Sequence, residues 1–333
     1  MRYERADTVE SACEALRQGA SILAGGTDVA LMRASGNVAS DWVVDLKGIA
    51  ALRQSAQVTQ GYEVGALTTL KSLQGFELPR ELAGLQDASA LVGAPQTRAR
   101  ATLGGNICRS SPSGDTLPSL LALEAEFTAM STRGQRRVSA ADFFTGPGTN
   151  ALFHDELLTV ITIPVRRGSS AYGRVTYRAA MDLAVVGVAV RLTVEDGNCV
   201  EACIALGGVA PTPILAPEAS RALVGPLDDG SLAATAASIA VQAPSVAPSG
   251  PRASDSGATW PGANPTAPAG TPASRASTPA AGSATHSTTA PGSARRQRAA
   301  SPGCCTQTRV GPVRLSQSMA TPSIGVTSAT KRR

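Results

Sequence analysis

Two short segments carry the residue types for anion chemistry: Ala24-Gly25-Gly26-Thr27-Asp28 and Thr102-Leu103-Gly104-Gly105-Asn106. Each pairs two glycines with small or polar neighbours at the end of an apolar run, and Leu23 closes the run before the first. Glycine tolerates positive φ and lets a ligand come close to the backbone. Successive free N–H groups in such a turn make an anion-binding nest, to which Thr and Asn side chains add neutral donors. Two such loops facing each other could clamp a pyrophosphate; apart, they are ordinary tight turns. Neither is a GxGxxG fingerprint or a P-loop with its lysine. Asp28 also reads as a helix N-cap, and Asp115 as a cap on a helix opening at Thr116. Arg98 and Arg100, just ahead of the second segment, read either as phosphate ligands or as part of a solvated loop.

The elements that must hold these loops are partly visible in the pattern. Asp7 is placed to cap a first helix with Glu10 as its box partner. Val9, Ala12, Cys13 and Leu16 follow at helical spacing, and Gly19 ends the helix. Residues 21–23 form a short strand that runs into the first loop, a short helix reaches Met32, and 42–46 form a second strand. Residues 62–66 alternate as a strand, Thr68 can cap a short helix with Leu70 and Leu73, and 81–92 form a longer helix before the second loop. Pro118 sits at a helix start, Phe127 falls in a strand, and Pro164 stops a strong strand over 156–163. Strands at 184–194 and 199–206 flank Glu195-Asp196-Gly197-Asn198, a hairpin signal. Helices are expected around 217–224 and 231–243.

Composition divides the chain near residue 240. The 43% hydrophobic content supplies a core for about two domains. After Asp229, however, the only acidic residue is Asp255, and Ala, Pro, Ser, Thr, Gly and Arg dominate. Such a stretch cannot bury enough apolar surface to offset its ordering entropy. It reads as a natural disordered extension or as GC-rich sequence in a shifted reading frame. It also holds much of the basic excess behind the net charge of +5, so the charge gives no reason to expect nucleic-acid binding. No run of 18 apolar residues exists to span a membrane, and the N-terminus lacks a signal peptide's apolar run. The expected compartment is cytoplasmic. The six cysteines form no CxxC pair, which argues against a disulfide framework or zinc site. Cys199 and Cys203 are expected across a hairpin, as buried or half-buried thiols.

In their wider contexts the loops resemble a known family. The segments ILAGGTDVALM (22–32) and VGAPQTRARATLGGNICRSSPSGDTLPSLLALEAE (92–126) look like the two FAD-clamping segments of the FAD-binding (medium) subunits of molybdenum hydroxylases, the xanthine dehydrogenase and carbon monoxide dehydrogenase type. DELLTVITIP (155–164), YRAAMDLAVVGVAV (177–190) and IALGGVAPTPILA (204–216) resemble later segments of that family, in order, so that the resemblance covers about residues 1–240. It implies an α+β fold with a two-lobed FAD-binding domain of the vanillyl-alcohol oxidase-like (PCMH) type at 1–165, its lobes at about 1–56 and 57–165. A small α+β domain follows at 170–244, and then the low-complexity tail at 245–333.

By the same resemblance, Leu23, Ala24, Gly25, Gly26, Thr27 and Asp28, with Thr102, Leu103, Gly104, Gly105 and Asn106, would hold the cofactor. Gly93 matches a backbone contact, Asp115 an acidic position by the flavin, Leu158 an apolar residue against its ring, and Arg174 a basic residue nearby. Ala99, where Asn is usual, and Gly114, where Ser or Ala is common, depart from the pattern. His154 and His286 lie outside both loops, so the FAD is expected to be non-covalent. No four-cysteine insert for an extra iron–sulfur cluster is present. The family's chemistry implies a small subunit with [2Fe–2S] clusters and a large molybdopterin subunit, in a dimer of heterotrimers. This chain would relay electrons to an external acceptor, with carbon monoxide, purines, N-heteroaromatics and aldehydes all open as substrate. The competing readings are a free-standing FAD-dependent oxidase and a nucleotide-binding regulatory protein.

Overall fold

The computed structural model describes residues 1–227 apart from 37–39, 60 and 179, together with 234, 236–238 and 240. The tail from 245, and most of the helix expected at 231–243, lie outside the described residues.

The first lobe alternates strands and helices: β1 (Arg2–Arg5), α1 (Val9–Arg17), β2 (Ser21–Leu23), α2 (Thr27–Ala34) and β3 (Trp42–Asp45). Its three strands are parallel, in the order β1-β3-β2. The alternation pattern did not reveal β1, because its residues are mostly exposed and polar. The α1 cap is Thr8 rather than Asp7. Thr8 has the extended backbone a cap needs, its hydroxyl accepts the Ser11 N–H at 3.1 Å, and the Ser11 hydroxyl returns a contact at 3.4 Å. Gly19, at φ +92°, ends α1 as expected, and the Ala20 N–H reaches back to the Ala15 carbonyl. The helix packs Ala12, Cys13, Ala15 and Leu16 against Val44 and Leu46.

The second lobe contains β4 (Ser55–Val58), β5 (Gly61–Gly65), α3 (Leu70–Gly75), α4 (Ala83–Leu91), α5 (Pro95–Arg98), α6 (Leu103–Arg109) and α7 (Thr116–Ala122). It continues through β6 (Glu126–Ser131), β7 (Gly134–Ser139), α8 (Ala140–Phe143), the short pair β8 (Phe144–Gly146) and β9 (Thr149–Asn150), and β10 (Leu157–Pro164). Five strands form an antiparallel sheet in the order β4-β5-β10-β6-β7. Its core centres on Phe127, edge-on to Phe143 at 4.7 Å, with Leu85, Leu103, Ile107, Leu120 and Ile161. Thr69 caps α3 by accepting the Ser72 N–H, whereas the Thr68 hydroxyl meets Ser55.

The C-terminal domain is an antiparallel sheet of β11 (Ser169–Val175), β12 (Val186–Glu195), β13 (Asn198–Gly207) and β14 (Ile214–Leu215), with α9 (Pro217–Ala222) and β15 (Gly225–Pro226), which pairs with β13. The β12–β13 hairpin turns at Asp196 and Gly197, both at positive φ, the backbone that matches strand twist. Cys199 and Cys203 are not across this hairpin: both lie on β13, as free thiols, one buried and one half-buried. One face of the sheet gives Tyr172, Ala189 and Ala205 to the second-lobe core; the other packs Ile204 and Leu206 against Ala219 and Leu223. Gly84 lets α4 lie close on β11: a Cβ there would stand 3.0 Å from the Ala171 backbone. Among the described residues, no helix is long and apolar enough to cross a membrane.

Candidate functional site

The two glycine segments meet. A Cβ added to Gly25 would lie 2.1 Å from the Arg100 carbonyl oxygen and 3.0 Å from the Ala101 Cα. Only a residue without a side chain allows this approach. A second tie joins Asp28, in the first turn of α2, to Arg109 at the end of α6, at 3.6 Å. Asp28 is therefore not the helix cap. Gly26 holds that position at φ +82°, a left-handed conformation, and it provides no side-chain hydrogen bond. Among the described residues, no hydrogen bond takes up the backbone N–H groups of Gly25, Gly26, Thr27 or Asp28. These donors sit at the N-terminal end of an eight-residue helix, where the backbone dipole favours an anion.

Lys47 braces the first loop from behind. Its ammonium lies 2.7 Å from Asp45 and 3.5 Å from the Ala24 carbonyl. Asp45 is buried and also accepts bonds from the Lys47 N–H and the Tyr3 hydroxyl. Burial acts to raise its pKa, but these hydrogen bonds and the Lys47 charge outweigh it and hold the carboxyl below its ordinary value.

The second segment is built differently. Thr102 caps α6, and its hydroxyl accepts the Gly105 N–H at 3.1 Å. The Leu103 N–H goes to Thr68, the Gly104 N–H to Ala66, and the Asn106 N–H to Thr102. The expected nest of free N–H groups is thus absent here, because the segment is hydrogen-bonded to the chain that leaves β5. Gly104 is needed for packing: a Cβ there would stand 2.7 Å from both the Cβ and the carbonyl oxygen of Ala66. What the segment can still offer is the Asn106 side chain. Its oxygen accepts the Thr116 hydroxyl at 2.6 Å, which leaves the NH2 group as a donor.

The remaining expected residues fall into three places. Gly93 takes φ +50° in the turn between α4 and α5. Arg98 ties that turn by donating from Nη1 to the Val92 and Gly93 carbonyls. Leu158 is 3% exposed in the second-lobe core, beside a bulge in β10. Asp115 precedes α7 but makes no cap bond. Its carboxylate instead accepts the Tyr172 hydroxyl at 2.9 Å and the Arg174 guanidinium at 2.7 Å. All three groups are buried. Burial raises the Asp115 pKa, against the opposing pull of Arg174 and Tyr172. Burial and the neighbouring carboxylate push the Tyr172 hydroxyl up as well.

Reasoning from sequence missed Tyr172. Its strand, Ser169–Val175, is too rich in small and polar residues to show a period, and the one available signal was an aromatic two places before Arg174. Among the described residues, no three His, Cys, Asp or Glu side chains are grouped to hold a metal ion.

The donor set suits FAD's pyrophosphate: uncharged N–H groups on the first loop, an amide NH2 on the second, and backbones close enough for both to reach one ligand. Comparison with known proteins agrees with this chemistry. Residues 1–166 match the model of the FAD binding domain in molybdopterin dehydrogenase, and residues 171–256 match the CO dehydrogenase flavoprotein C-terminal domain. The chain is 35% identical over 247 residues to the putative xanthine dehydrogenase FAD-binding subunit of Escherichia coli strain K12, covering 71% of this chain and 84% of that one. It is 34% identical over 213 residues to the carbon monoxide dehydrogenase medium chain of Afipia carboxidovorans, covering 63% and 74%. The solved structure of reconstituted CO dehydrogenase from Oligotropha carboxidovorans superposes with a TM-score of 0.68 at 32% identity, over 72% of this chain and 86% of that one. The fold, the paired loops and these relatives agree: the chain belongs to the FAD-binding medium subunits of the molybdenum hydroxylase family.

Proposed function

We propose that this chain holds FAD non-covalently across its two glycine loops and serves as the electron outlet of a cytoplasmic heterotrimer, two copies of which pair. In that assembly a large molybdopterin subunit oxidises the substrate, a small subunit carries electrons on [2Fe–2S] clusters, and this subunit passes them to an external acceptor. When bound, FAD supplies the step between one-electron donors and a two-electron acceptor. The protein's part is to bind and orient. Gly25 to Asp28 donate N–H groups to the pyrophosphate, Gly25 lets the first loop close on the Arg100 backbone, Gly26 supplies the left-handed turn, and Asn106 adds its NH2. Leu23 and Ala24 lead into the first loop, while Thr102 to Gly105 provide a rigid wall. Gly93, Asp115, Leu158 and Arg174 belong to the flavin side of the site. The segment from about residue 245 has no part in this role.

One observation carries the proposal: an unpaired row of N–H groups at residues 25–28 is held by close backbone contact against the segment that leads into α6. The test is purification of the full chain with its co-expressed or native partners. Acid denaturation should release FAD, and two further polypeptides should co-purify with a mixed flavin and iron–sulfur spectrum. A flavin-free chain, or an active monomer with FAD alone, would overturn the proposal.

A further inference from the structure

We infer that Thr116 is a positioning residue for FAD binding, set in place by the C-terminal domain through Tyr172 and Asp115. This inference rests on the FAD reading above. An Asn side chain is nearly symmetric in shape, and the group it faces decides which end points where. Here the Thr116 hydroxyl faces the Asn106 oxygen at 2.6 Å, and Thr116 itself is 0% exposed. The NH2 group is thereby turned away from Thr116, and no described hydrogen bond uses it. A free donor on α6, the helix whose lead-in at Arg100 packs against Gly25, is what an anionic or carbonyl-bearing ligand needs.

Thr116 can do this only if α7 keeps its place relative to α6, and the structure pins α7 on both sides of Thr116. On one side, Tyr172 and Arg174 of β11 grip the Asp115 carboxylate. On the other, Pro118 sits over Gly207, where a Cβ would stand 2.5 Å from the proline ring. Across the sheet from Arg174, and in register with it, Gly187 leaves room for the Tyr172 hydroxyl; a Cβ there would stand 2.2 Å away. Gly187 and Gly207 also face each other in register. Two neighbouring strands are thus cleared of side chains at the point where the first turn of α7 settles. The C-terminal domain in this way sets the orientation of an amide in the FAD-binding domain.

The test uses the full chain, stripped of flavin and titrated with FAD while flavin fluorescence is followed. Thr116→Val, which keeps shape and removes the hydroxyl, should weaken binding about fivefold, the worth of one neutral hydrogen bond. Thr116→Ser should restore near wild-type affinity, which a purely structural role for the threonine methyl would not do. Tyr172→Phe should weaken binding by a smaller factor, and the double variant with Thr116→Val should lose less than the product of the two single losses, since both changes reach the Asn106 amide. Wild-type affinity in Thr116→Val, a Thr116→Ser variant as weak as Thr116→Val, or losses that multiply in the double variant would each overturn the inference while leaving the FAD reading intact. A wild-type chain that takes up no FAD would remove both.

Discussion

The two glycine loops look alike in sequence and differ in almost every physical respect. The first leaves its N–H groups unpaired and leads into α2, a helix with no buried residue. The second has its N–H groups taken by Thr68, Ala66 and Thr102, and leads into α6, whose Leu103, Gly104 and Ile107 are buried. The first is a donor set on the surface, and the second is a wall fixed into the core. Their glycines answer different needs. Gly26 adopts a left-handed backbone, Gly25 permits contact with Arg100, and Gly104 permits contact with Ala66. A pair of identical letters therefore says that the backbone is close to something, but not whether that something is ligand or protein.

Substitutions separate the two roles. The largest effect is expected at Gly104. Valine there would drive into Ala66, a side chain with no freedom to move, and overpacking of this kind costs about 3 kcal/mol. Thermal unfolding should show a large drop in melting temperature, with flavin lost because the wall is lost. Should Gly104→Val melt like wild type, the second loop is not a rigid wall.

A smaller cost to the fold, and a sharper one to the ligand, is expected at Gly25. Alanine would stand 2.1 Å from the Arg100 carbonyl and force the loops apart. Because the segment is only half-buried, the fold should lose about 1 kcal/mol while most of the flavin is lost on purification. Full flavin retention in Gly25→Ala would show that contact between the loops does not matter for binding.

The smallest effect distinguishes the carboxylates behind each loop. Asp45 is held below its ordinary value of 3.8 and Asp115 above it. A lowered pKa contributes stability above the unfolded value and loses it as pH falls through the folded value; a raised one contributes below the unfolded value and loses it as pH rises through the folded value. Melting temperatures measured across the acid range should then diverge. The advantage of wild type over Asp45→Asn should shrink below about pH 4, while its advantage over Asp115→Asn should grow in the same direction. Parallel pH profiles for the two variants would mean that the two carboxylates do not differ in this way.

What could be read in advance was local. The turn at Asp196-Gly197, the stop at Gly19 and the strand ended by Pro164 each depend on one or two residues and their own backbone preferences. The glycine loops were visible as tight turns in the same way, but the free N–H nest expected at the second is taken up by Thr68, Ala66 and Thr102. What stayed hidden depended on partners distant in sequence. Nothing near Gly104 announces that Ala66 will take its N–H group, and nothing near Asp115 announces Tyr172, 57 residues later. The choice of Thr8 over Asp7 as cap was hidden for another reason: two adjacent residues were chemically able, and only the backbone angles decided between them.

The sheet of the C-terminal domain has one more consequence. Matches to family descriptions break between residues 166 and 171, as though two independent modules had been joined there. The packing has no such seam. Tyr172, Ala189 and Ala205 lie in the same apolar cluster as Leu85, Leu120 and Phe127. A chain cut at that break would leave α4 and α7 with a bare oily face, and the severed sheet would lose the surface it rests on. During synthesis, the second lobe cannot complete its core until the hairpin of β12 and β13 has left the ribosome. Two family domains are matched along the chain, but they share one apolar core.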